Sequence, residues 1–176
     1  AATLSFTYTG ANINWFDTGG TRTFTLTGTN TGANTYANRI ENQAANATAL
    51  TKSGAGSWSV SGLNIYTGAT TISGGTLRNG SATTFTGTSA LSMSGTGVFD
   101  LNGFNASVTN VPASVATNTI TNNGAAATFT ETAQSSTISA LVTDGTGVLT
   151  VALSNANSGV TPFLLTSPNT FSGGVR

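Results

Sequence analysis

The chain contains neither cysteine nor histidine, and it carries only five acidic and five basic residues among 176. Without cysteine there is no disulfide framework and no thiolate nucleophile. Without cysteine or histidine, the usual ligands of zinc and iron–sulfur sites are missing as well. Proton-moving catalysis needs a histidine, a cluster of carboxylates or a thiol beside a base. The whole acidic inventory is Asp17, Glu41, Asp100, Glu131 and Asp144, placed one at a time. Five basic residues and a net charge of zero leave no basic footprint, so no nucleic-acid partner is expected. No run of roughly 18 apolar residues occurs, so no helix for membrane insertion is expected. These absences argue against an enzyme, and nothing calls for a metal or any other cofactor.

What is abundant is small and uncharged. Thr, Ser, Asn and Gly number 36, 19, 18 and 22, together more than half of the chain. Low hydrophobicity combined with high net charge would signal disorder, but the charge is absent. Thr is β-branched and favours strands, whereas helix formers are few. Short strands are expected at Leu4–Thr9, Asn12–Phe16, Thr21–Thr27, Ser57–Ser61, Thr70–Ile72, Thr76–Arg78, Leu91–Met93, Val98–Leu101, Ala127–Thr130, Thr137–Val142 and Val148–Leu153. Several alternate plainly: Leu4, Phe6 and Tyr8 share one face, as do Phe24 and Leu26, and Trp58 and Val60. The opposite face of each strand is a row of hydroxyls.

A five-residue pattern closes many of these strands: an apolar residue, a Ser, Thr or Asn, a small residue, any residue, then Asn. It occurs as Leu26-Thr-Gly-Thr-Asn30, Val60-Ser-Gly-Leu-Asn64, Leu101-Asn-Gly-Phe-Asn105, Leu153-Ser-Asn-Ala-Asn157 and Leu165-Thr-Ser-Pro-Asn169. Asn tolerates left-handed backbone and bonds nearby main chain, so these five Asn residues are read as structural corners. Stacked corner amides could also bond one another from rung to rung. Their spacing is uneven, which predicts irregular rungs. A parallel β-solenoid accounts for both pattern and composition, since rungs about 4.8 Å apart can stack Thr, Ser and Asn in columns where like charges would repel. Rungs of roughly 18–24 residues would give about eight turns and a rod on the order of 40 Å long.

The stretch Lys52-Ser-Gly-Ala-Gly-Ser-Trp58-Ser-Val-Ser-Gly62-Leu-Asn64-Ile-Tyr66-Thr-Gly68-Ala-Thr-Thr-Ile72-Ser-Gly-Gly75-Thr-Leu77 resembles the autotransporter-associated β-strand repeat of bacterial passengers and large secreted repeat proteins. Thr21–Ile40 and Ala47–Leu50 look like the segment that precedes it. Phe163–Val175 looks like a partial second copy, with Asn169, Phe171 and Gly173 where Asn64, Tyr66 and Gly68 stand. The resemblance implies an all-β, right-handed parallel β-helix that is extracellular or on a bacterial cell surface, and it carries no catalytic residues. No membrane barrel follows, so the chain reads as a single module at 1–176, a subunit or a fragment of a longer repeat protein.

Other candidates reduce to structure. Asp144-Gly-Thr-Gly147 has one carboxylate, too few for calcium, and reads as a turn. Sequons at Asn46, Asn79 and Asn105 are what chance yields in so Asn- and Thr-rich a chain. Asp17 with Arg22, or Asp100 with a neighbouring rung, would form salt bridges rather than a catalytic pair. Most of the aromatics, Trp15 and Trp58 among the candidates, sit at apolar positions of the alternation and are expected in the core. The function expected is structural: copies of the chain stacking end to end into a filament or surface layer, through Leu4, Phe6 and Tyr8 at one end and Phe171 and Val175 at the other. The alternative is an adhesin-like module binding a surface glycan, with Val111–Ala116 as its loop.

Overall fold

A computed structural model describes residues 5–6, 20–43, 45–86, 89–132, 137–154 and 163–176. Among them there are sixteen short strands and no helix. In chain order these are β1 (Ser5–Phe6), β2 (Arg22–Leu26), β3 (Asn34–Tyr36), β4 (Thr48–Lys52), β5 (Ser57–Val60), β6 (Thr70–Ile72), β7 (Thr76–Asn79) and β8 (Leu91–Met93). They continue with β9 (Val98–Asp100), β10 (Ala106–Val108), β11 (Thr119–Thr121), β12 (Ala127–Glu131), β13 (Thr137–Ile138), β14 (Leu141–Val142), β15 (Leu149–Leu153) and β16 (Leu164–Leu165). The expected strands at Leu4–Thr9 and Asn12–Phe16 lie outside the described residues, apart from the backbone of β1.

Every strand pairing is parallel. One sheet orders β1-β3-β5-β7-β9-β11-β14, a second β2-β4-β6-β8, a third β10-β12-β15, and β13 pairs β16. Paired strands therefore lie one full turn apart, and the chain winds as a three-sided β-solenoid of about 6 turns. The fold class read from the sequence is correct, while the expected eight turns is too many. Rungs vary: Ser57 pairs with Thr76, 19 residues on, whereas Thr137 pairs with Leu164, 27 residues on. The longer rungs consume chain in their corners, which shortens the stack.

Alternation decides what faces inward. On the longest sheet Trp58, Leu77, Phe99, Ile120 and Val142 stand in one paired column, all buried. Each such side chain contributes about 1.5–3 kcal/mol by leaving water. Phe99 lies at the centre, edge-on to Phe85 at 5.0 Å and to Phe129 at 6.2 Å. Outward, Thr25, Thr51, Thr71 and Ser92 form a paired column of hydroxyls on the second sheet. Two sequence readings need correction. Thr137–Val142 is not one strand, because Ser139 and Ala140 make a corner that sends β13 and β14 to different sides. Val111–Ala116 is not free along its whole length: Val111 is buried and Ala113 bridges to Ser92, with Met93 N donating to Ala113 O at 2.8 Å, while Val115 is exposed.

At the corners the main chain of one rung rests directly on the next. Gly68 N donates to Thr48 O at 2.9 Å, and a Cβ on Gly68 would lie 2.5 Å from that same oxygen. Only glycine fits there. Gly74, by contrast, would place a Cβ in ordinary contact, 3.4 Å from Gly54 O. Gly68→Ala should therefore cost about 1–3 kcal/mol in urea unfolding, while Gly74→Ala should stay within about 0.5 kcal/mol of the parent. Equal midpoints for the two variants would contradict the rung contact.

Candidate functional site

The quoted repeat runs from the end of β4 through β5 and β6 to β7, one whole rung and part of the next. Its first residue, Lys52, follows the alternation of β4 inward, in a column with Leu26, Ile72 and Met93. It is fully buried without a carboxylate partner among the described residues. Its ammonium instead donates to three carbonyls: Ser53 O at 2.8 Å, Gly54 O at 2.9 Å and, from the next rung, Gly74 O at 2.8 Å. Burial lowers its pKa from 10.5 to about 8. The lysine clips two successive turns together.

The rest of the repeat works the same way. Asn64, buried, accepts Ile40 N of the preceding rung at 2.8 Å through its Oδ1. Tyr66, also buried, shares a 2.6 Å hydrogen bond with Thr70 Oγ1, and Thr70 Oγ1 lies 3.1 Å from Ser89 Oγ in the next rung. Burial pushes the Tyr66 hydroxyl up to about 12. Trp58 is a core residue whose Nε1 donates to Thr27 O at 3.0 Å.

The partial second copy keeps these roles. Asn169 Oδ1 accepts Val142 N at 2.7 Å, as Asn64 accepts Ile40 N. Gly173 N donates to Leu149 O at 3.0 Å, as Gly68 N donates to Thr48 O. Yet Gly68 rests on the start of β4, in the four-stranded sheet, and Gly173 on the start of β15, in the three-stranded one. The two copies thus occupy different sides of the coil. Phe171, where Tyr66 stands, is half-buried against the core, and Val175 is exposed while bridging to Val151.

Of the other expected corners, Asn30 bonds within its own turn, to Asn34 Oδ1 at 2.7 Å, and Asn105 Oδ1 accepts Thr128 N at 2.8 Å from the next rung. Asn157, Leu4 and Tyr8 lie outside the described residues, as do Trp15, Asp17 and the side chain of Phe6. The amides of Asn64, Asn105 and Asn169 reach main chain of the adjacent rung and not one another, because uneven corners keep them out of register. The five-residue pattern missed three fully buried amides: Asn79, Asn118 and Asn122. Asn122 alone accepts Gly103 N at 2.8 Å and donates to Ala125 O at 2.7 Å and Val148 O at 2.9 Å. The alternation could have found two of them, since Asn79 follows Leu77 and Asn122 follows Ile120 by two residues, on the inward face.

The acidic residues are spent on the same task. Asp100, buried, takes Arg78 Nε at 3.0 Å on one oxygen and Asn102 N and Asn123 N, both at 2.9 Å, on the other. Asp144 accepts Ser172 Oγ at 2.6 Å, Leu149 N at 2.6 Å and Ser172 N at 2.9 Å, bonds that hold its carboxyl below the usual range. Arg39 pairs with Glu41. Among the described residues no three acidic groups gather where a metal could sit, and no helix is long and apolar enough to cross a membrane.

Residues 50–78 match the family model of the passenger-associated-transport-repeat, the autotransporter passenger repeat that the Lys52–Leu77 stretch resembles. No curated protein and no solved structure matches the chain. Repeat and coil together suit an extracellular, autotransporter-like module.

The lysine clip predicts a pH response. Between about pH 8 and 10.5 the unfolded chain holds the Lys52 proton and the folded chain has released it, so stability rises with pH across that window. Below pH 8 this group adds no slope. Urea unfolding should show a gain of about 1–3 kcal/mol from pH 8 to 10 in the parent relative to Lys52→Met, in which this rise is missing. Parallel pH curves for the two proteins would refute the buried ammonium.

Proposed function

We propose that this chain is a non-catalytic structural module of an extracellular β-solenoid, whose coil edges pair with further rungs so that copies stack end to end into a filament or surface layer. The observation that supports this best is the ends of the sheets: among the described strands, β1 and β2 at the start of the coil and β16 at its end each have a single strand partner, as do the end strands of the other sheets. A parallel ladder extends by repeating the same hydrogen bonds, and an open edge favours that addition. Ten charges in the chain leave little repulsion to oppose it. Phe171 and Val175 lie in the rung of β16, and Leu164 is exposed beside them. Leu4, Phe6 and Tyr8 are the proposed counterpart at the other end.

The glycan-binding alternative has weaker support. Trp58 is buried, and the Val111–Ala116 segment exposes no aromatic side chain, its one large exposed apolar residue being Val115.

Negative-stain microscopy and light scattering over a concentration series test the stacking. Rods are expected, with an axial repeat near the height of six rungs, roughly 30 Å at about 4.8 Å each. Val175 offers a clean variant. Gly174 O and Arg176 N both bond Val151, so the N–H of Val175 points to the open side. Val175→Pro should keep the fold by circular dichroism and lose the rods. A chain that stays monomeric at every concentration, with its fold intact, would overturn the proposal.

A further inference from the structure

Three Asn–Gly steps occur in the chain, at Asn79-Gly80, Asn102-Gly103 and Asn123-Gly124. Glycine after asparagine leaves its main-chain nitrogen unshielded by a side chain, so this nitrogen can reach the Asn carboxamide. Whether it does depends on how firmly each group is held. Asn79 is fully buried; its Nδ2 donates to Asn105 O at 3.1 Å and Phe104 O at 3.3 Å, and Gly80 N is committed to Val60 O at 2.8 Å. Asn102 is half-buried; its Nδ2 donates to Asn79 O at 3.1 Å, and Gly103 N is committed to Asn122 Oδ1 at 2.8 Å.

Asn123 differs on both counts. It is exposed, and its carboxamide has no hydrogen bond among the described residues. Gly124 N makes only a long contact, 3.3 Å to Asn122 Oδ1. The step lies in the bend between β11 and β12, outside any strand ladder.

We propose that Asn123 is a site of spontaneous deamidation, and that the rung contacts protect the other two steps. The Gly124 main-chain nitrogen gives up its proton to hydroxide and attacks Cγ of Asn123; Nδ2 takes a proton from water, the Cγ–Nδ2 bond breaks and ammonia leaves. Water then opens the cyclic imide at either carbonyl, giving aspartate or isoaspartate at position 123. The product is consequential for the coil. Asn123 N donates to Asp100 Oδ1 at 2.9 Å, so a second carboxylate arises beside a buried one that has a single guanidinium partner. Gly124 rests on the rung above, where even an added Cβ would lie 2.4 Å from Gly103 N. The isoaspartyl product lengthens the main chain by one methylene at that contact.

The test is to age the intact protein at mildly alkaline pH, then map isoaspartate by enzymatic methyl transfer and peptide mass spectrometry. Isoaspartate is expected at Asn123 at least about tenfold faster than at Asn79 or Asn102, with Asn123→Gln removing the fast signal and the aged parent losing urea midpoint. In strong denaturant the three steps should react at comparable rates. Folded protein that reacts equally at all three steps, or fastest at Asn79 or Asn102, would overturn the assignment. So would a folded chain whose Asn123 is no faster than its protected neighbours while the denatured chain reacts normally.

Discussion

Main-chain hydrogen bonding between successive rungs is the constraint on which everything else in this coil depends. A parallel ladder about 4.8 Å high leaves no room for side chains where the backbone turns. Every corner must therefore solve two problems at once: it must let two backbones touch, and it must satisfy the N–H and C=O groups that the strands no longer pair. Glycine solves the first, as at Gly68 and Gly173, each set against a carbonyl one rung earlier. Buried amides and charges solve the second. Asn64, Asn122, Lys52 and Asp100 each bond main chain of their own or a neighbouring rung.

This division of labour explains the composition. Outward positions need only residues that tolerate close stacking with copies of themselves, and Thr and Ser do so without repulsion. Inward positions carry the apolar columns centred on Phe99. Charges such as Lys52, Asp100 and Asp144 are tied to main chain near the corners, where a carboxylate or an ammonium closes several bonds at once. These three side chains are thus spent on holding the coil's own backbone.

Much of this was legible in the residues. Alternation in Thr76–Arg78 and Ala127–Thr130 marks both the strand and its inward face, because successive side chains must point to opposite sides of a sheet. The apolar–polar–small–x–Asn pattern falls outside the strands at Asn30, Asn64, Asn105 and Asn169. It misses Asn79 and Asn122 because an inward amide reads as a break in the apolar face unless the neighbouring rung that binds it is known. Ser139-Ala140 fails for a related reason: two small residues continue an alternation as readily as they bend a chain, and only the two sheets on either side decide which.

By itself the sequence determined the all-β class, the stacking of short strands, the repeat at Lys52–Leu77 and the scarcity of catalytic material, since these follow from local periodicity and residue chemistry. Tertiary structure alone decided the rung count, the burial of Lys52 among three carbonyls, and the placement of the second copy on another side of the coil. Those outcomes depend on the length of every corner in between. Each added corner residue shifts which side the next strand lies on, and no local pattern records that running total.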